Sequence, residues 1–166
     1  MNAGKILIIG VAGYMIYRHM RKEFFIDHAR EIDILARTVY GEARGESSQG
    51  QQAVLSTILN RVNRGGWWGA TIEDVCKKPW QFSCWNYETT SDKSGRANYE
   101  QMVNVTTADP TFAYIYQLSK SAVENGGQLA TDYSNGATHY HARSVNPSWA
   151  GKLTKTAEIG NHIFYA

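Results

Sequence analysis

Apolar side chains recur through residues 23–42 at Phe25, Ala29, Ile32, Leu35, Ala36 and Val39. Steps of three and four place them on one face of an amphipathic helix, and Gly41 and Gly45 punctuate its end. Ser48, with Gln51 three positions on, has the form of a capping box opening a second helix. That helix turns Val54, Leu55, Ile58 and Val62 inward and stops at Gly65-Gly66. Residues 71–76 suit one further short helical turn. Residues 77–98, rich in Trp, Ser, Asn and Lys, read as a long loop, and a loop of that length in a compact domain is more often functional than idle. Asp109-Pro110 opens another helix, because proline suits the first helical position, and Asn125-Gly126-Gly127 closes it. Residues 137–143 and 159–165 are short and rich in aromatic and β-favouring side chains, so they read as irregular strands or extended loops. The pattern predicts a mainly α (α+β) domain with a small β element.

The chain has 166 residues, 43% of them hydrophobic and 19% charged, with two cysteines. This excludes a disordered chain and a disulfide scaffold, and the length suits one core. Of the 17 basic residues, Lys5, Arg18, Arg21 and Lys22 lie in the first 22, which hold no acid, so residues 23–166 carry 13 bases against 15 acids. The body is therefore mildly acidic, and no nucleic-acid partner is expected. Residues 6–17 form a charge-free run of 12 between Lys5 and Arg18. That is short for a bilayer, which needs about 20 apolar residues, but it fits the core of an export signal. No small-residue cleavage site follows it, and the cluster from Arg18 to Lys22 opposes export of what comes next. Residues 1–22 thus read as a separate hydrophobic and basic segment, an anchor, export signal or docking helix, preceding a folded domain at 23–166.

Glu42 follows Val39 by three residues and Leu35 by seven, so it shares their face. A carboxyl on a core-facing stripe must be paired or protonated, and a carboxyl that keeps its proton near neutrality is what a general acid needs. The alternative is a structural pair with Arg44 or Arg61. Glu46, four residues on, is a second acid candidate or a solvated linker residue.

The run Ala36-Arg37-Thr38-Val39-Tyr40-Gly41-Glu42-Ala43-Arg44-Gly45-Glu46, continuing through Gly50-Gln51 to Ile58-Leu59-Asn60-Arg61-Val62, resembles the opening of the SleB/CwlJ type of cell wall hydrolase. Gln81-Phe82-Ser83, Gly136-Ala137-Thr138-His139-Tyr140, Pro147-Ser148-Trp149-Ala150 and Ile159-Gly160-Asn161-His162-Ile163-Phe164-Tyr165 match later pieces in the same order. The resemblance covers residues 32–166 and implies a lysozyme-like fold, here with an extra N-terminal hydrophobic helix. It also implies cleavage of the peptidoglycan glycan strand by a lytic transglycosylase or a muramidase. The family's catalytic glutamate falls on Glu42, the residue singled out by its place on the helix.

An acid at that position would protonate the glycosidic oxygen. Hydrolysis generally calls for a second carboxylate, whereas a transglycosylase uses the sugar's own acetamido and 6-hydroxyl groups. One well-placed acid favours the latter. Gln81 and Ser83 are candidates to bond acetamido or hydroxyl groups, Phe82 to present a platform to a sugar or simply to join the core, as Trp149 and Phe164 would, and His139 and Tyr140 to contact substrate, Tyr140 alternatively bonding Glu42. Trp67, Trp68, Trp80 and Trp85 read as a glycan-groove wall or as packing. No metal or other cofactor is expected. The competing arrangement is a zinc site of His139, His141 and His162 in a peptidase or amidase; otherwise these histidines bond backbone or substrate near the cleft. A third reading is a domain that only binds peptidoglycan. Cys76 and Cys84 are spaced to bridge across the loop or to remain free thiols. The biological settings implied are a phage endolysin first, a virion-borne lysin second and a bacterial housekeeping or germination enzyme third. All act at the periplasm or cell envelope, with residues 1–22 meeting a membrane or virion component.

Overall fold

A computed structural model describes residues 11–87 and 93–166. Five helices and a small sheet follow one another: α1 (Val11–Ala43), α2 (Ser48–Arg64), α3 (Ile72–Cys76), α4 (Lys93–Asn104), α5 (Pro110–Glu124), β1 (His139–Ala142), β2 (Lys155–Ile159) and β3 (His162–Tyr165). Helix α1 is the hub, with α2, α3, α4 and α5 packed around its C-terminal half. Leu35, Ala36 and Val39 are fully buried there, joined by Leu55 and Ile58 from α2, Val75 from α3, Met102 from α4 and Ile115 from α5. Each fully buried Leu or Ile of this set stabilises the fold by about 1.5–3 kcal/mol.

The helix expected from residue 23 begins at Val11, so its backbone crosses position 22/23 without a break. The charge-free run at 6–17 starts outside the described residues. No helix among the described residues is long and apolar enough to cross a membrane. The N-cap of α2 is Ser47, one residue earlier than the expected Ser48, and the Gln51 amide donates to the Glu46 carbonyl. Helix α3 carries a complete capping box between Thr71 and Asp74, and Asp109 caps α5 through the Phe112 N–H with Pro110 in the first turn.

Helix α4 corrects the reading of 77–98 as loop throughout. Its apolar stripe is narrow: Met102 alone is buried, with Tyr99 and Val103 half-covered beside it. What fixes it in place is polar and distant in sequence. The Arg37 guanidinium donates to the carbonyls of Met102 (2.7 Å) and Val103 (2.9 Å) while pairing with Asp33 on its own helix (2.8 Å). A cation there meets the unsatisfied carbonyls at the negative end of α4.

The sheet is antiparallel in the order β1-β3-β2. Tyr140 lies opposite Phe164 and Ala142 opposite His162, which sets these four on the inner face. Ala43, Ala53, Val54, Ala137 and Phe164 form a second small core under that face, and Tyr140 packs against both cores. Tyr140 is thus the seam between helices and sheet.

Candidate active site

Glu42 occupies the last turn of α1, where the helix meets both the 83–85 turn and the sheet. Gly41 makes the approach feasible. A Cβ at position 41 would stand 2.6 Å from Cys84 Cβ and 3.0 Å from Met102 Sδ, so only glycine lets the turn press this close. The Cys84 backbone N–H then donates to Glu42 Oε1 (3.1 Å), as does the Ser83 hydroxyl (3.2 Å). From the other side the Tyr140 hydroxyl donates to Oε2 (3.1 Å). Glu42 is half-buried, and among the described residues no cation forms an ion pair with it. It borders an open groove of about 380 Å³ whose other walls include Arg44, Glu46, Asn98 and His162.

Burial shifts the protonation of the groups around the carboxylate. Burial, reinforced by the negative charge of Glu42, pushes the Tyr140 hydroxyl well above its usual range, so it remains a donor at any working pH. Burial likewise pushes the Cys84 thiol up, with Glu42 adding to the effect. His162 is buried, its Nδ1 lacks a partner among the described residues, and burial holds its imidazole below the usual range against the pull of Glu46 and Glu42. It is therefore neutral at pH 7.

Two neighbours on α2 deliver Tyr140. Asn60 donates to the Asp132 carboxylate (3.0 Å) and the Ala137 carbonyl (3.0 Å), and Arg61 Nε donates to the Thr138 carbonyl (2.8 Å). Burial raises the Asp132 carboxyl, but bonds from Ser134, Asn60 and the Gly136 N–H outweigh it and hold it below the ordinary carboxylate range. Arg61 is only 5% exposed, its guanidinium lying 4.5 Å from the Trp68 ring and 5.0 Å from the Phe82 ring. Glu46 serves as a strap. Its two oxygens accept from the backbone N–H (3.0 Å) and side-chain amide (3.1 Å) of Asn161 in the β2–β3 turn. Gly160 there has φ 57°, and a Cβ would sit 1.9 Å from the Glu46 carboxylate.

The profile of the cell wall hydrolase family matches residues 45–165. The chain belongs to that family. Its match begins just after Glu42, and longer alignments extend the likeness. A spore cortex-lytic enzyme of Halalkalibacterium halodurans is 30% identical over 141 residues, 81% of this chain and 34% of that protein. The chain thus spans about a third of the length of this curated relative. The spore cortex-lytic enzyme of Bacillus subtilis is 58% identical over 33 residues, 20% of this chain and 11% of that protein. The crystal structure of the Bacillus cereus SleB catalytic domain shares the fold, with a TM-score of 0.58 at 24% identity, covering 82% of this chain and 89% of that one. The catalytic domain of a germination-specific lytic transglycosylase, SleB from Bacillus anthracis, gives 0.57 at 25% identity over 82% and 93%.

Within this family member the structure divides the residues singled out from sequence. Ser83 and Tyr140 meet at Glu42, whereas Gln81 is half-buried on the adjoining loop with its backbone N–H on the Lys78 carbonyl. Phe82 corrects the expectation of a sugar platform, because it is 1% exposed and belongs to the core. His139 sits on the opposite face of β1 from Tyr140, between Trp68 and Trp149, and so points away from Glu42. The same alternation separates His139 and His141 from His162. Among the described residues no three His, Cys, Asp or Glu side chains gather as a metal would require. Cys76 and Cys84 are free, buried thiols, the Cys76 thiol pushed up to about 12 by burial. Trp85 is structural, donating to the Thr38 hydroxyl (2.9 Å). Sequence reasoning missed Asn98 as a groove residue and offered His162 as a zinc ligand or as a contact near the cleft, the second of which matches its place. Asn98 stands on the helix read as loop, and His162 owes its place to a cross-strand register that no local spacing reveals.

Proposed function

We propose that this chain cleaves the β-1,4 bond between MurNAc and GlcNAc in peptidoglycan, as a lytic transglycosylase with Glu42 as its one acid–base group. The observation that carries this reading is the Glu42 carboxylate at a groove, faced by three donors and by no ion-pairing cation among the described residues. Protonated Glu42 gives its proton to the glycosidic oxygen, and the C1–O bond breaks as the GlcNAc hydroxyl leaves. The acetamido oxygen of the muramoyl sugar supports C1 as charge develops. Its 6-hydroxyl then attacks C1, and the Glu42 carboxylate takes the hydroxyl proton, closing a 1,6-anhydro ring and restoring the acid. The Ser83, Cys84 and Tyr140 donors favour the carboxylate as it forms, which is stabilisation realised in the transition state.

The single-acid reading is supported by the engagement of both Glu46 oxygens with Asn161, which ties up the second acid at the groove. The relative named as a lytic transglycosylase supports the same outcome. We read the site of action as the cell envelope. In that setting residues 1–22 would hold the domain to a membrane or virion component through α1, whose described part is about 50 Å long. Mass spectrometry of products from purified sacculi tests the proposal. 1,6-Anhydro-muramoyl ends are expected, and reducing MurNAc ends alone would assign the site to a hydrolytic muramidase instead.

A further inference from the structure

Trp67 and Trp80 are 64% and 71% exposed, the two most exposed large hydrophobic side chains among the described residues. Tryptophan is normally well covered in a folded domain, and such exposure marks an interaction site when it is clustered. Lys78 links the two: its ammonium lies 4.7 Å over the Trp67 ring, and it precedes Trp80 by two residues on the same loop. The backbone at Trp80 has φ 67°, a left-handed conformation that bulky side chains rarely adopt. The fold therefore displays this ring to solvent against the local preference of the chain.

The patch lies outside the groove at Glu42, which none of its residues lines, and is anchored to the domain by packed flat groups. Trp67 contacts Trp68 edge-on (4.9 Å), Trp68 stacks on Arg61, and Arg61 stacks on Phe82. Phe82 immediately precedes Ser83 and Cys84, the residues that hold the carboxylate. The exposed ring is thus backed by a packed line of flat groups that ends in the core at Phe82. Flat apolar faces beside an ammonium suit a ligand that presents sugar C–H faces together with carboxylates.

We infer that Trp67, Lys78 and Trp80 form an accessory binding platform for an acidic glycan strand, the stem-bearing peptidoglycan chain, outside the cleavage groove. The inference rests on the substrate class proposed above. The platform holds the strand while Glu42 acts on one linkage, so its contribution is to binding of long insoluble polymer.

The test uses the full chain carrying Glu42→Gln, which binds without cutting, and measures depletion from solution by purified sacculi. Adding Trp67→Ala and Trp80→Ala is expected to weaken the apparent Kd roughly tenfold or more. Lys78→Glu is expected to weaken it as well and to flatten its dependence on salt. Trp80→Gly separates platform from scaffold, because glycine tolerates the left-handed backbone. It is expected to leave the melting temperature unchanged or higher while weakening binding. Affinity within twofold of the parent in all these variants overturns the inference. If Glu42→Gln still cleaves sacculi, the catalytic reading fails by itself, and the binding comparison is made at low temperature over times too short for cleavage.

Discussion

Replacing Tyr140 by Phe removes one oxygen and leaves the ring where it is. The ring packs 5.1 Å from His162 and 5.8 Å from Phe164, contacts that a phenyl group keeps. What disappears is the 3.1 Å bond to Glu42 Oε2. A hydrogen bond to a charged group is worth about 1.5–3 kcal/mol. Because Tyr140 donates most strongly once Glu42 has released its proton, that amount is lost from the transition state and much less from the resting enzyme. The expected outcome is a fall in kcat of about 10- to 150-fold with KM little changed. The melting temperature should drop by only about 2–4 °C for each kcal/mol of stability lost, and that loss should not exceed about 1.5 kcal/mol. Burial and Glu42 keep the Tyr140 hydroxyl protonated well above neutrality, so the parent enzyme keeps this donor throughout the assay range. Initial rates of turbidity loss on sacculi, with thermal melts of both proteins, provide the assay. A kcat within twofold of the parent, or an effect confined to KM, would refute the reasoning.

Gly41→Ala places a methyl 2.6 Å from Cys84 Cβ, so the 83–85 turn must shift and its N–H must leave Glu42. A stability loss of about 1–3 kcal/mol is expected with a larger loss of rate, read from melts and sacculus digestion; parent-like activity would contradict the close-approach argument. Glu46→Ala removes both bonds to Asn161 and should cost about 1–2 kcal/mol. Its kcat below the melting range should remain within tenfold of the parent, since a thousandfold drop would mark Glu46 as a second catalytic acid. Burial holds the imidazoles of His139 and His162 below the usual 6.5. Their contribution to stability is therefore complete above about pH 6.5 and is lost as pH falls through the depressed folded values. Urea unfolding at pH 7 and pH 5 should show this fall, and His162→Gln should flatten it; stability that is level or rising on acidification would oppose the assignment.

The helical framework was legible because its signals are local. The stripe from Ile32 to Val39 faces the core as its spacing demands, and Asp109-Pro110 opens α5 as capping chemistry requires. Glu42 was legible for the same reason, lying one turn beyond Val39 on a shared face. Helix α4 was not, because its anchor is Arg37, more than sixty positions away in sequence, rather than a stripe of its own. The roles of Phe82 and the tryptophans share one difficulty. An aromatic side chain on a loop suits a core and a binding surface equally, and only the stack on Arg61 decides which ring is covered. The three histidines looked equivalent in sequence, yet strand alternation sends His162 to the face opposite His139 and His141.

The most direct measurement is sacculus digestion by Glu42→Gln beside the parent chain, with anhydro-muropeptides counted by mass spectrometry. The amide keeps the shape and has no proton to give, so the account predicts a folded protein with the parent's melting behaviour and no glycan cleavage. Anhydro ends released at the parent's rate by that variant would contradict it.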